Sequence, residues 1–143
     1  MVDKPPGQIG QPVTRLEDPA LVTGAGHYVG DMSLPHQLHL RLVRSEVAHG
    51  VLHGVDRAAA LEMAGVVAVW TSEDIADIPP VDFRDPSAEA LLPYRQPVLA
   101  RERVRYVGEP VSAVFATDSY TAEDAANLVS LDVEPLPVVM TSS

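Results

Sequence analysis

The sequence predicts an α+β domain, a mixed β-sheet with two short helices, and three observations carry that expectation. Residues 97–116 read as two strands joined at a Gly-Glu-Pro corner. Runs of period-two alternation recur elsewhere in the chain, and only two stretches have the composition or spacing of a helix. Strands and helices do not alternate strictly, which argues against a doubly wound parallel sheet.

Residues 97–116 organise the rest. Val104 and Tyr106 alternate with Arg103, Arg105 and Gly108, as in a half-buried strand. From Val111 to Ala116 the chain is almost unbroken apolar, which predicts burial on both faces. Pro110 has no N–H to give a ladder, so the second strand is expected to begin there. Gly108, free of a Cβ, is expected to allow the bend.

Taken from the N-terminus, residues 1–9 hold two prolines and a glycine and are expected to form a flexible arm, with residues 10–143 as a single domain. Residues 10–31 look too rich in Gly and Pro for a helix. Arg15, Glu17 and Asp18 suit a charge-locked turn, and residues 21–23 a short strand or turn edge. Leu38, Leu40 and Leu42 alternate with Gln37, His39 and Arg41, a half-buried strand. A second strand spans 50–55. Asp56 is a candidate N-cap for a helix over 57–64, closed by Gly65 as a left-handed C-cap. Residues 66–70 form a short apolar strand, and Thr71 to Asp74 resemble a capping box opening a further turn. Residues 77–96 are a long connection with four prolines, of a length that usually signals function or docking. Ala122, Ala125, Ala126 and Val129 have helical spacing, with Thr121 and Asp124 near the start. Leu131 and Val133 mark a last strand, ended by Pro135 and Pro137.

Composition narrows the function. At 143 residues the chain can bury roughly two-thirds of its unfolded surface. Hydrophobic residues make up 46% and aromatics 5%, so the core is one of Val, Leu and Ala. Twenty acidic against ten basic residues give a net charge of −10, which argues against nucleic acid or an anionic membrane as partner. Without cysteine there is no disulfide, thiolate nucleophile or iron–sulfur ligand. The first ten residues lack the apolar core of a signal peptide, and no run approaches a membrane span, so a cytoplasmic location is expected.

Candidate chemistry is sparse. Gly24, Gly26 and Gly30 faintly suggest a dinucleotide loop, but the third glycine is one position late and no helix is expected after it. His49 and His53 are four apart, which in a strand places them about 13 Å from each other. Ser45 and His49 lack a nucleophile elbow. Arg15 beside Glu17 and Asp18 reads as structural, and Glu123 with Asp124 as solvated surface.

Four segments, in order, resemble the N-terminal domain of the large subunit of molybdenum hydroxylases, the family of xanthine dehydrogenase, aldehyde oxidases and carbon-monoxide dehydrogenase. The first holds Gly10, Arg15, Glu17, Asp18, Leu21, Gly24, Gly26, Tyr28 and Asp31. The second is Arg44-Ser45 with Ala48-His49, and the third is Gly65 to Val69 with Thr71, Asp74 and Ile75. The fourth is Leu99-Ala100 with Val104 and Tyr106 to Val111, continuing to Glu134-Pro135-Leu136-Pro137. The R-x-E-D opening looks most like the carbon-monoxide dehydrogenase type.

That resemblance implies an α/β-hammerhead fold. It also implies a role as part of an oxidoreductase acting on aldehydes, N-heterocycles or CO, packed against the molybdopterin domain and substrate funnel. It carries over no catalytic, cofactor-binding or metal-binding residue. The cofactors it implies for the complete enzyme are molybdopterin-molybdenum, [2Fe–2S] and FAD, none bound by this chain alone. The implied partners are the molybdopterin-binding domain or subunit, an iron–sulfur subunit and a flavin subunit. Phe83, Leu91, Leu92 and Tyr94 in the long connection are the candidate partner or funnel contacts. Arg15, Glu17, Asp18, Gly24, Gly108 and Pro110 are the structural motif. The other reading is a freestanding, non-enzymatic protein-interaction domain of the same fold.

Overall fold

A computed structural model describes Gly10, residues 12–83 and residues 89–140. The arm expected over residues 1–9 lies outside the described residues. The chain divides into two compact units, with the boundary between Pro35 and His36. In the first, α1 (Asp18–Val22) is followed by a 3-10 turn at Val29–Asp31. The second runs β1 (His39–Arg44), β2 (Gly50–Asp56), α2 (Ala58–Leu61), β3 (Val66–Trp70), a 3-10 turn (Glu89–Tyr94), β4 (Arg103–Val104), β5 (Pro110–Ala116), α3 (Ser119–Leu128) and β6 (Ser130–Pro135). This is the expected order of strands and helices.

The second unit holds two three-stranded sheets, ordered β1-β5-β3 and β4-β2-β6. The pairings are antiparallel throughout. β5 is the central strand of its sheet and begins at Pro110 as expected, its missing N–H falling at the strand's first residue. Val111, Val114 and Ala116 are wholly buried. Each buried valine of this kind contributes about 1.5–3 kcal/mol of transfer free energy. Ser112 is buried too, and its hydroxyl donates to the carbonyl of Trp70 at 2.8 Å.

α2 and α3 pack on one face of this sheet, where Ala60, Val69, Val114, Ala125 and Val129 form a core. The helical spacing read in the sequence therefore marks the buried stripe of α3. Leu52, Ala100, Val104 and Val111 form a second core beside β2. Gly65 carries the expected left-handed backbone, φ +91°. Its carbonyl accepts from Thr117, tying the start of β3 to the end of β5.

The structure corrects several expectations. Residues 97–116 are not one hairpin: β4 joins the sheet of β2 while β5 joins that of β1, and Tyr106 lies outside both strands, largely exposed. Residues 21–23 are helix and helix end rather than strand. Pro19 sits in the first turn of α1, where its fixed φ suits the helix and its missing N–H costs nothing. α2 is only four residues, because three-residue bonds from Met63 to Ala60 and from Val66 to Met63 tighten the chain into a turn. Its caps are Arg57, with no side-chain cap bond, and Glu62, rather than the expected Asp56 and Gly65, although the Asp56 carboxylate accepts from Ala58 N–H at 3.0 Å. α3 is capped by Asp118, three residues before Thr121 and six before Asp124, the positions expected near its start; the carboxylate accepts from Thr121 N–H at 2.9 Å. Within β3 only Val69 is fully buried. Leu38 and Leu40 stay exposed, because their face of the sheet has no helix over it.

Among the described residues no helix is long and apolar enough to cross a membrane.

Candidate functional site

The long connection leaves the turn after β3 and returns to the sheet at Leu99 and Ala100. Its base is a narrow neck: Val81 bridges Gln96, with Val81 N–H donating to the Gln96 carbonyl at 2.8 Å. Beside it the Arg95 guanidinium meets both oxygens of Asp82, at 3.0 and 2.8 Å. Such a forked pair has defined geometry, although exposed pairs add little stability. Gln96 also hydrogen-bonds the Tyr106 hydroxyl.

The four candidate contact residues sit beyond this neck. Leu91, Leu92 and Tyr94 lie on the 3-10 turn, with Pro93 between them, and all three are exposed, Tyr94 most of all at 74%. Phe83 is half-buried. The neck therefore holds a short apolar platform away from the core rather than folding it in. Below the neck a groove of about 330 Å³ is lined by Ile75, Ile78, Pro79, Pro80, Val98 and Leu99 among others.

The Gly-Glu-Pro corner is where two sequence motifs meet. Ser45 N–H donates to the Glu109 carbonyl at 3.0 Å, and Gly108 N–H donates to the Ser45 carbonyl at 2.8 Å. Arg44 adds a bond to the Gly108 carbonyl at 2.7 Å. Gly108 has φ +89°, a conformation that disfavours any residue with a Cβ. Glu109 is only 1% exposed. Its Oε2 accepts from Arg105 N–H, while Oε1 has no hydrogen bond among the described residues and faces the Arg105 guanidinium at 3.6 Å. The sequence singled out Gly108 and Pro110 for structure and noted Ser45 and Glu109 within the resembling segments, but not the burial of Glu109 or the backbone bonds that tie it to Ser45. The available signal was that Glu109 directly precedes a strand buried on both faces.

Arg15, Glu17 and Asp18 make no side-chain hydrogen bond or ion pair with another described residue. Backbone bonds hold the turn instead, Asp18 N–H to Arg15 and Leu21 N–H to Glu17. Gly24, φ +72°, follows the end of α1.

Elsewhere the polar groups hold the fold. Asp74 accepts from Thr71 N–H at 2.7 Å and pairs with Arg57, which also donates to the Val69 carbonyl. The Thr71 amide, with the Arg57 guanidinium next, holds the Asp74 carboxyl below the usual carboxylate range. The predicted capping box is thus realised as a hydrogen-bonded turn. Asp118 is lowered likewise, mainly by the Thr121 hydroxyl and amide.

His49 lies 2.9 Å from the Pro137 carbonyl and His53 3.0 Å from Glu134. Among the described residues no three His, Cys, Asp or Glu side chains group to hold a metal ion. These residues do not fit a metal centre of their own. A wider cleft of about 430 Å³ lies between β1, α3 and β6, spanned by the Arg41–Glu123 ion pair.

The family model for "Aldehyde oxidase and xanthine dehydrogenase, a/b hammerhead domain" matches residues 23–137. Two curated relatives come from Paenarthrobacter nicotinovorans. The large subunit of nicotine 6-hydroxylase is 46% identical over 132 residues, covering 92% of this chain and 16% of the relative. Subunit gamma of the 6-hydroxypseudooxynicotine dehydrogenase complex is 44% identical over 136 residues, covering 92% and 17%. Among solved structures, reconstituted CO dehydrogenase from Oligotropha carboxidovorans superposes with a TM-score of 0.78 at 36% identity, covering 90% of this chain and 15% of that one. The chain thus spans about one-sixth of the length of the proteins it matches.

Proposed function

The chain belongs to the aldehyde oxidase and xanthine dehydrogenase family as its α/β-hammerhead domain, and from that premise we propose that it serves as the N-terminal part of a molybdenum hydroxylase large subunit. In this reading it packs against the molybdopterin domain and helps to wall the substrate funnel. The observation that carries it is the exposed platform of Leu91, Leu92 and Tyr94, with Phe83 at its edge, held out by the Val81–Gln96 neck. Three large apolar side chains on one short turn suit burial against a partner surface. Where such side chains line a funnel they select substrates by shape.

The complete enzyme would draw its redox chemistry from a molybdopterin-bound molybdenum, with [2Fe–2S] and FAD groups held by iron–sulfur and flavin subunits. This chain's own residues orient and exclude; no step of the reaction passes through them. We place the enzyme with the carbon-monoxide dehydrogenase type, on the R-x-E-D opening at Arg15 to Asp18. We take an N-heterocycle as the substrate class, since the relatives named for nicotine 6-hydroxylase and 6-hydroxypseudooxynicotine dehydrogenase are 46% and 44% identical. Residues 10–143 are read as one domain, because the family match begins within the first compact unit and continues through the second.

The test is alanine replacement at Phe83, Leu91, Leu92 and Tyr94 in the assembled enzyme. Substrate preference or assembly should change while the isolated chain keeps its thermal midpoint. If the same replacements unfold the isolated chain, these side chains are core and the platform has no such role.

A further inference from the structure

The sheet β1-β5-β3 has two unlike faces. Cross-strand partners share a face, so the register sorts the side chains directly. Arg41, Val69 and Val114 fall on the face covered by α2 and α3, and the Arg41 ion pair with Glu123 of α3 agrees. Leu40 pairs with Phe115, Leu42 with Ala113, Ala68 with Phe115 and Trp70 with Ala113. These six side chains lie on the opposite face, and none carries a charge. In a chain where 21% of residues are charged, a sheet face turned to water normally carries the polar side chains of each strand.

This face is only partly covered. Ile75 and Leu99 pack over Ala113, against Leu42 and Phe115. Beyond them Leu40 is 55% and Trp70 44% exposed, with the Trp70 ring set edge-on to Phe115 at 4.6 Å. Ile75 and Leu99 also line the proline-rich groove at the foot of the neck. The partly covered sheet face and the groove therefore adjoin through Ile75 and Leu99.

We propose that this outer face, centred on Leu40, Phe115 and Trp70, is the principal seat of the molybdenum-binding remainder of the large subunit. The proposal rests on the functional reading above and names the surface that meets the partner. One occupant fits best. The matched relatives hold more than four-fifths of their length outside the region shared with this chain. An uncharged sheet face has the composition of an obligate, core-like interface rather than a transient one.

The experiment replaces the matching segment of the nicotine 6-hydroxylase large subunit with this chain and follows assembly and molybdenum content. Leu40→Glu and Trp70→Glu are compared with Leu128→Glu, on exposed α3. The face variants should lose most of the assembled, molybdenum-loaded protein while the α3 variant retains it. All three isolated chains should keep their thermal midpoints. In case a face variant fails to fold, amide exchange on the unaltered chain gives a second reading: β1, an edge strand, should exchange several-fold more slowly once assembled. Assembly that survives Leu40→Glu and Trp70→Glu, or unchanged exchange in β1, overturns the surface and leaves the functional reading standing. An unaltered chimera that never assembles overturns both. A dimer of the isolated chain that Leu40→Glu breaks, with the chimera unaffected, assigns the face to a second copy and overturns the proposal.

Discussion

Gly108→Ala isolates a single energetic term. Gly108 has φ +89°, and a Cβ built on it meets no atom within 4 Å, so the substitution adds backbone strain without a clash. The strain cannot relax cheaply. Rotating φ would break the bonds from Gly108 N–H to Ser45 at 2.8 Å and from Arg44 to the Gly108 carbonyl at 2.7 Å. A left-handed alanine costs about 1–2 kcal/mol, partly offset by about 0.4–1 kcal/mol because alanine lowers the entropy of the unfolded chain. Gly54→Ala is the control: it too has open space around a built Cβ but no left-handed φ, so only the unfolded-state gain remains. The two variants should differ by about 1–2 kcal/mol, or about 3–6 °C in midpoint for a chain of this size. Gly108→Asn should recover part of the loss, and Gly108→Val should cost on the order of 1–3 kcal/mol relative to the unaltered chain. Thermal and urea unfolding measure all four. Equal midpoints for Gly108→Ala and Gly54→Ala would refute the conformational argument.

Gly50→Ala should destabilise by about 1–3 kcal/mol through overpacking, because its Cβ would lie 2.6 Å from Val133 Cγ1 and 2.7 Å from the Glu134 carbonyl of β6; a midpoint equal to the unaltered chain would show that β6 yields freely. Asp74 and Asp118 are both held below their ordinary range. Their stabilisation is therefore present above the unfolded pKa near 4 and lost as pH falls through the lower folded value. Asp74→Asn should flatten the acid limb of the stability–pH curve, and an unchanged limb would remove Asp74 from the cause. Asp118→Ala should lower the midpoint and Asp118→Asn much less, since asparagine still caps the helix; circular dichroism on heating separates them.

Much of the fold was legible because its signals are local. Pro110 marks the start of β5, Gly65 its left-handed turn, and the alanines of α3 its buried stripe, each set by the chemistry of a few adjacent residues. What was misread depends on distant partners. Arg103 and Val104 look like the first arm of a hairpin with β5, yet they pair with Gly50 and Val51, more than fifty positions earlier. Ser45 closing on Gly108 and Glu109 is equally non-local. Residues 21–23 are misread for a local reason: the glycines and prolines of residues 10–31 argue against any helix there, although Pro19 at a first turn favours one.

The candidate site divides along the same line. The alternation at Leu38, Leu40 and Leu42 announces a strand with one apolar face, and the structure leaves Leu38 and Leu40 exposed and Leu42 half-buried. Period two reports which side chains share a face; it carries no information about what lies above it. Burial in β5 could be read from sequence because α2 and α3, which cover it, lie in the same chain. Leu40 and Trp70 break that rule in a consistent direction: both are apolar and exposed on a face whose other paired side chains are uncharged. Exposed Leu40 and Trp70 on a half-covered sheet face are coherent when the rest of the cover is another domain. The mismatch between pattern and burial is thus itself the clue to the interface.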